Sequence, residues 1–162
     1  MSDPRDCSFR AAGGRFNYRV GAIIAKGDQL LLARNPQEKR AYYYSVGGKV
    51  RFGESLEEAL LRELREETGL DCRLERLAAI HENFFPDDDG VLWHELAVFF
   101  TVQLSPELAA IESGRRTDHG PAGEYLEWVD RRDCAGLTIY PGFFRTVDFS
   151  RAQGVLHVLD RE

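Results

Sequence analysis

Apolar and polar positions along the chain mark out a series of strands and one strongly patterned helix. From Asn17 to Ala25 an apolar run carries the β-branched Val20, Ile23 and Ile24 and predicts a strand. The turn signal Lys26-Gly27-Asp28 and the apolar Leu30-Leu31-Leu32-Ala33 follow, so a hairpin is expected there. Tyr42 to Val46 predicts another strand, stopped by Gly47-Gly48. A helix is expected from about Ser55 to Thr68. Two long strands, Leu74 to Phe85 and Leu92 to Leu104, flank the turn Pro86-Asp87-Asp88-Asp89-Gly90. Tyr125 to Val129 is a further strand, a second helix is expected after Pro141, and Val155 to Leu159 reads as a short terminal strand. Residues 1 to 15 read as a loose arm. No repeat, low-complexity tract or long linker interrupts the series, so residues 1 to 162 are expected to form one domain. Strands outnumber helices, which predicts an α/β fold with helices packed on a mixed sheet.

The helix carries its own punctuation. Ser55 with Glu58 three residues later is a capping box, and Gly69 can take the left-handed conformation that closes the last turn. At 100° per residue, with Leu56 at zero, Leu60 falls at about 40°, Ala59 at about 300° and Leu64 at about 80°. Glu67 falls at about 20°, Glu63 at about 340° and Glu66 at about 280°, on or beside the same apolar stripe. Three carboxylates on a core-facing stripe repel one another and resist desolvation, so something cationic must compensate. Arg62, at about 240°, borders the cluster. Mg²⁺ or Mn²⁺ fits better, because hard divalent cations prefer carboxylate, carbonyl and water oxygens. Helix pattern alone is equally compatible with a salt-bridged surface helix built on Glu58/Arg62 and Arg62/Glu66 pairs.

Composition narrows the partners. The chain has 162 residues, 21 Lys+Arg against 27 Asp+Glu, and a formal net charge of -6. That argues against a long nucleic acid, whose backbone is bound by clustered cations, but not against a small phosphorylated ligand. The apolar runs are too short to span a bilayer, and MSDPRDCSFR carries no signal-peptide core. Cys7, Cys72 and Cys134 are odd in number and form no CxxC pair, as expected of reduced thiols in a cytoplasmic protein.

The full spacing is more specific than the helix. Gly48, five residues, Glu54, seven residues, then Arg62-Glu63-Leu64-Arg65-Glu66-Glu67-Thr68-Gly69-Leu70 matches the Nudix box at every specified position. The chance of such a match is on the order of 10⁻⁹ per start position. The chain therefore resembles the Nudix (MutT-like) hydrolases, specifically over Gly47 to Leu70 and loosely over most of its length. The resemblance implies an α/β/α sandwich around a mixed β-sheet. It implies hydrolysis of a diphosphate bond in a nucleoside diphosphate linked to another moiety, with one to three Mg²⁺ or Mn²⁺ ions. The partner is then a small nucleotide-type substrate, and a homodimer is compatible with the family. By the same resemblance Glu63, Glu66 and Glu67 hold metal or its bound water, and the Gly47 carbonyl completes the coordination. Glu54 and Arg62 orient the loop and helix through a bidentate contact, and Glu63 or Glu66 is the favoured base. Val46 stands where family members often have proline; it keeps the extended backbone without the fixed dihedral.

Outside the box, Glu95 is expected opposite His81, sharing a face with Asn83 as a polar wall of the substrate site. Arg51, Arg34 and Arg15 are candidate phosphate contacts. Phe84, Phe85, Trp93 and the tyrosines 42 to 44, Tyr44 among them, offer faces for a base. Asp87-Asp88-Asp89 reads as a solvated hairpin loop, and His119 and His157 as surface residues. Two rivals have different chemistry: a catalytically silent nucleotide-sensing module, which usually loses box glutamates, and an isopentenyl diphosphate isomerase, which needs a catalytic cysteine context not evident here.

Overall fold

The computed structural model describes residues 3–37, 42–120, 122–151 and 154–161. Among these residues twelve strands occur in chain order: β1 (Ser8–Ala11), β2 (Gly14–Ile23), β3 (Ala25–Lys26), β4 (Gln29–Arg34), β5 (Tyr43–Ser45), β6 (Gly47–Lys49), β7 (Leu74–Pro86), β8 (Leu92–Val102), β9 (Arg115–Arg116), β10 (Tyr125–Asp130), β11 (Ile139–Tyr140) and β12 (Leu156–Arg161). The helices are α1 (Leu56–Thr68), α2 (Pro106–Ala109) and α3 (Arg131–Cys134), with a 3₁₀ turn at Gly142–Arg145. One sheet runs β1-β2-β8-β7-β12, with β6 also on β2; the other runs β11-β5-β4-β10-β9, with β3 also on β4. Both sheets are mixed: β2 is parallel to β8 and β12 to β7, β11 is parallel to β5, and the remaining pairs are antiparallel. The α/β class holds, with the expected mixed sheet divided in two.

Strand alternation sends side chains to two separate cores. Val20 and Ala22 of β2, Leu31 and Ala33 of β4, and Val98 and Phe100 of β8 pack with Ala59, Leu60 and Leu64 of α1. Their neighbours Ile23, Leu30, Leu32, Ala97 and Phe99 pack on the other side with Phe143, Phe144 and Phe149. The sheets are thus covered by α1 on one side and by the C-terminal segment on the other, which is the sandwich the resemblance implied.

Several sequence expectations change. The arm is not loose throughout: Ser8–Ala11 pairs with Gly14 to Asn17, and Cys7 N donates to Val50 O at 2.8 Å. The apolar run from Asn17 leaves the first sheet after Ile23 and enters the second at Ala25, so the tight hairpin is β3–β4 alone. Gly47-Gly48 does not stop a strand. Val46, fully buried, makes a bend between the sheets, and Gly47–Lys49 then pairs with β2. The segment after Pro141 is a single 3₁₀ turn and not the expected helix, with Phe143 and Phe144 both buried. Among the described residues no helix is long and apolar enough to cross a membrane.

Candidate active site

Helix α1 begins and ends as its sequence dictates. Ser55 Oγ accepts from Glu58 N at 3.1 Å, and Glu58 Oε2 accepts from Ser55 N at 2.8 Å. Gly69 closes the helix at φ 73°, in the left-handed region. The face that buries Ala59, Leu60 and Leu64 also buries Glu67, which is only 7% exposed.

Arg62 ties this helix to the loop before it. Its Nε donates to Glu54 Oε1 at 2.6 Å and its Nη2 to Glu54 Oε2 at 2.9 Å, the bidentate contact expected. Nη2 also donates to the Lys49 carbonyl at 3.1 Å, and Nη1 to Glu63 Oε1 at 2.7 Å. Glu66 Oε2 lies 3.5 Å from Nη1. The guanidinium holds the Glu54 carboxyl below the usual carboxylate range. A Cβ on Gly48 would sit 2.4 Å from Glu63 Cδ, so a larger residue there would push the Glu63 carboxylate out of its place beside Arg62.

A cavity of about 880 Å³ opens above the helix, lined by Gly47, Glu63, Glu66 and Glu67 from the box region. A fourth carboxylate, Glu124, completes this wall from the residue preceding β10. Glu124 is 3% exposed and accepts from the Tyr44 hydroxyl at 2.5 Å. Its Oε1 is buried beside the Thr117 hydroxyl. Gly47 N donates to Glu67 Oε2 at 3.3 Å. Burial pushes the Glu67 carboxyl well above its ordinary range, and repulsion from Glu124 and Glu63 acts the same way. Burial likewise raises Glu63, against the pull of Arg62, and raises Glu124, against its hydrogen bond from Tyr44.

These shifts set a pH dependence. A carboxyl whose folded pKa is raised binds more protons folded than unfolded between the two values, so stability falls as pH rises through that window. The metal-free protein is therefore expected to lose melting temperature as pH climbs from about 4.5, the ordinary glutamate value, towards neutrality. Melting curves across that range with a chelator check this, and a melting temperature that rises continuously to neutral pH would overturn it.

The other predicted site residues separate into two groups. Tyr44 and Glu95 line the cavity, with Glu95 Oε2 accepting from Asn17 Nδ2 at 2.8 Å and 3.9 Å from Arg19 Nη1. Arg51, Arg34 and Phe84 lie elsewhere. Arg51 Nη2 is 3.3 Å from Asp3 Oδ2, and Arg34 donates to the Tyr43 hydroxyl at 3.3 Å while stacking over that ring. Phe84 faces the opposite side of its sheet, stacked on His94 at 4.3 Å; its neighbour Phe85 lines the cavity instead. Arg15 lies over Trp93 at 5.5 Å. Glu95 pairs opposite Asn83, not His81, because the turn begins after Pro86; the shift of two residues keeps all three on one face. Asp87 accepts from Trp93 Nε1 at 3.0 Å, and with Asp88 it reaches the cavity rim, so the acidic turn is not simply solvated. His119 and His157 are both exposed, as expected of surface residues; His119 also lines the cavity, and His157 Nε2 is 2.8 Å from Glu82 Oε2.

The donor set suits a hard divalent cation. Four carboxylates share one wall, and among the described residues Arg62 and Arg19 offset their charge. Among the described residues no three acidic, histidine or cysteine side chains already converge as a closed ligand cage.

The NUDIX domain family model matches residues 15–141, and the chain belongs to this family of hydrolases. The Nudix hydrolase YvcI of Bacillus subtilis is 28% identical over 139 residues, covering 85% of this chain and 82% of that one. A NAD-capped RNA hydrolase, NudC, of Pseudomonas aeruginosa is 41% identical over 101 residues, covering 62% of this chain and 36% of its own length. The chain thus spans about a third of that enzyme. The solved MutT protein of Methanosarcina mazei Go1 superposes with TM-score 0.59 at 23% identity, covering 84% of this chain and 91% of that one, and shares the fold.

Proposed function

We propose that this hydrolase cleaves a diphosphate bond in a nucleoside diphosphate linked to another moiety, with Mg²⁺ or Mn²⁺ held by Glu63, Glu66 and Glu67. The observation that carries the reading is the wall of four carboxylates in one cavity, Glu124 joining the three from α1. Without compensation such a wall repels a diphosphate; with one to three divalent ions it receives one. When bound, the metal neutralises phosphate charge and lowers the pKa of an attacking water.

The chain's own residues do the rest. Arg62 fixes Glu54 and the preceding loop against the helix, so Gly47 and the carboxylates keep their spacing. Burial raises the proton affinity of Glu63 and Glu124, which makes either a better proton acceptor than an exposed carboxylate. Tyr44 holds Glu124 in place through its hydroxyl. The same reading places the enzyme in the cytoplasm, where nucleotide-type diphosphates are consumed and free Cys7, Cys72 and Cys134 stay reduced.

The test is a substrate panel with Mg²⁺, Mn²⁺ or chelator, scored for phosphate, pyrophosphate and nucleoside monophosphate. It should span nucleoside triphosphates, ADP-ribose, nucleotide sugars, dinucleoside polyphosphates and NAD-capped RNA. Metal-dependent release of a monophosphate is expected from at least one member. Tight binding with no turnover anywhere would replace the enzyme reading with a nucleotide sensor.

A further inference from the structure

β2 pairs with β8 on one edge and with both β1 and β6 on the other. Where β1 and β6 meet, three backbones close a ring of hydrogen bonds. Tyr18 N donates to Cys7 O at 3.0 Å, Cys7 N to Val50 O at 2.8 Å, and Val50 N back to Tyr18 O at 3.0 Å. Val50 is 1% exposed and packs in the core that α1 covers. The ring therefore joins the N-terminal segment to the start of the loop between β6 and α1.

The same segment follows that loop outward. Asp6 and Arg51 form an antiparallel bridge, and Arg5 O accepts from Phe52 N at 2.7 Å. Asp6 Oδ2 lies 3.9 Å from Lys49 Nζ. Asp3 closes the far end: its Oδ1 accepts from Arg5 N at 2.9 Å, and its Oδ2 lies 3.3 Å from Arg51 Nη2.

The tip of the loop has little packing of its own, since Phe52 is 87% exposed and Gly53 follows it at φ 90°. Hydrogen bonds must therefore fix its backbone. Glu54 Oε2 supplies one by accepting from Arg51 N at 2.9 Å, and the N-terminal segment supplies the others at Val50 and Phe52. The loop begins beside Gly47 and ends at Glu54, which Arg62 grips, so motion at its tip would reach both. The segment itself precedes residues 15–141, which the family model matches.

We infer that residues 3 to 7 clamp the box loop, with Asp3, Arg5 and Cys7 as positioning residues that fix Gly47 and Glu54 from outside the box. The inference rests on the hydrolase reading above and adds to it a support that the box does not contain.

Asp3→Ala removes the partner of Arg5 and Arg51, and Cys7→Pro removes the N–H that bonds Val50. Asp3→Ala leaves every bond of the backbone ring in place, so it stays readable even where Cys7→Pro does not fold. Amide exchange of Phe52, followed in chelator, reports whether the segment has left the loop, and should quicken by about tenfold or more. At a temperature where each variant is fully folded, kcat with Mg²⁺ should fall about tenfold with KM changed less than about twofold. The calorimetric Kd for Mn²⁺ should rise about tenfold, the cost of losing a group that supports metal ligands from outside. Asp3→Asn, which still accepts from Arg5 N, should recover part of each loss. A segment kept only for stability would lower the melting temperature and leave kcat and the Mn²⁺ Kd of the folded protein unchanged. That result would overturn the inference, as would unchanged Phe52 exchange in the folded variants. If the wild type hydrolyses no nucleotide, the hydrolase reading fails, and the Mn²⁺ Kd alone decides the clamp.

Discussion

Glu67→Gln is expected to lower kcat in Mg²⁺ by about 10²–10³-fold or more, the cost of removing one charge-stabilising group from a preorganised site. The same change should raise the melting temperature of the metal-free protein. Both effects come from one fact: Glu67 is the most buried of the three α1 carboxylates, facing repulsion from Glu124 and Glu63. Glutamine has the same shape and can still accept the Gly47 N–H, so the helix and loop have no reason to move. It removes a desolvated charge whose cost is carried by the folded state alone. A residue kept for stability would show the opposite sign in the melt. Steady-state kinetics with Mg²⁺ and melting curves with chelator, on the same two proteins, decide it. Near-normal turnover would remove Glu67 from the metal site, and a lower melting temperature would refute its role as an uncompensated charge.

The opposed signs explain why α1 was so legible in the sequence. A capping box, a terminal glycine and an apolar stripe agree on the helix, and the only residues that violate its pattern are the acids. Local rules were sufficient because every relevant partner of Arg62, from Lys49 to Glu66, lies within one short segment. Long-range partners were not legible. Arg51 looked available for phosphate, but Asp3 reaches it from the N-terminal segment, which no local signal places there. Phe84 and Phe85 were indistinguishable by composition; the pairing of β7 with β8 decides which one faces the cavity. Glu124 had no motif around it. Its role depends on the second sheet laying β10 beside β4, which brings the residue before that strand to Tyr44 and the far end of α1. The weak signal was an acid just before a buried strand, and that is common. The bend at Val46 was also hidden. Paired glycines usually break a strand, whereas here they let β6 approach β2 so closely that a Cβ on Gly47 would meet the Val20 carbonyl at 2.2 Å.

Arg62→Ala should destabilise the metal-free protein by about 3 kcal/mol, the lower end for breaking a buried ion pair. For a chain of this size that corresponds to a fall of roughly 6–12 °C in melting temperature. Arg62 and its partners Glu54 and Glu63 are 18%, 21% and 14% exposed at the side chain, so solvent only partly replaces what the substitution removes. The loss falls on three groups at once: the Glu54 carboxylate, the Lys49 carbonyl and Glu63. Arg62→Lys keeps the charge but cannot reproduce the fork, so it should lie between wild type and alanine. Mg²⁺ should restore part of the stability of Arg62→Ala, because a cation can compensate Glu63 and Glu66 but not Glu54, whose partners are Arg62 and the Arg51 amide. Activity should fall with the loop anchor, and the residual stability deficit in Mg²⁺ should match that of Glu54→Gln. Melting curves of the wild type and the three variants with and without Mg²⁺ test the partition. Full rescue by metal would show that Arg62 serves only to neutralise the box acids, while no rescue at all would show that the acids it touches do not hold the metal.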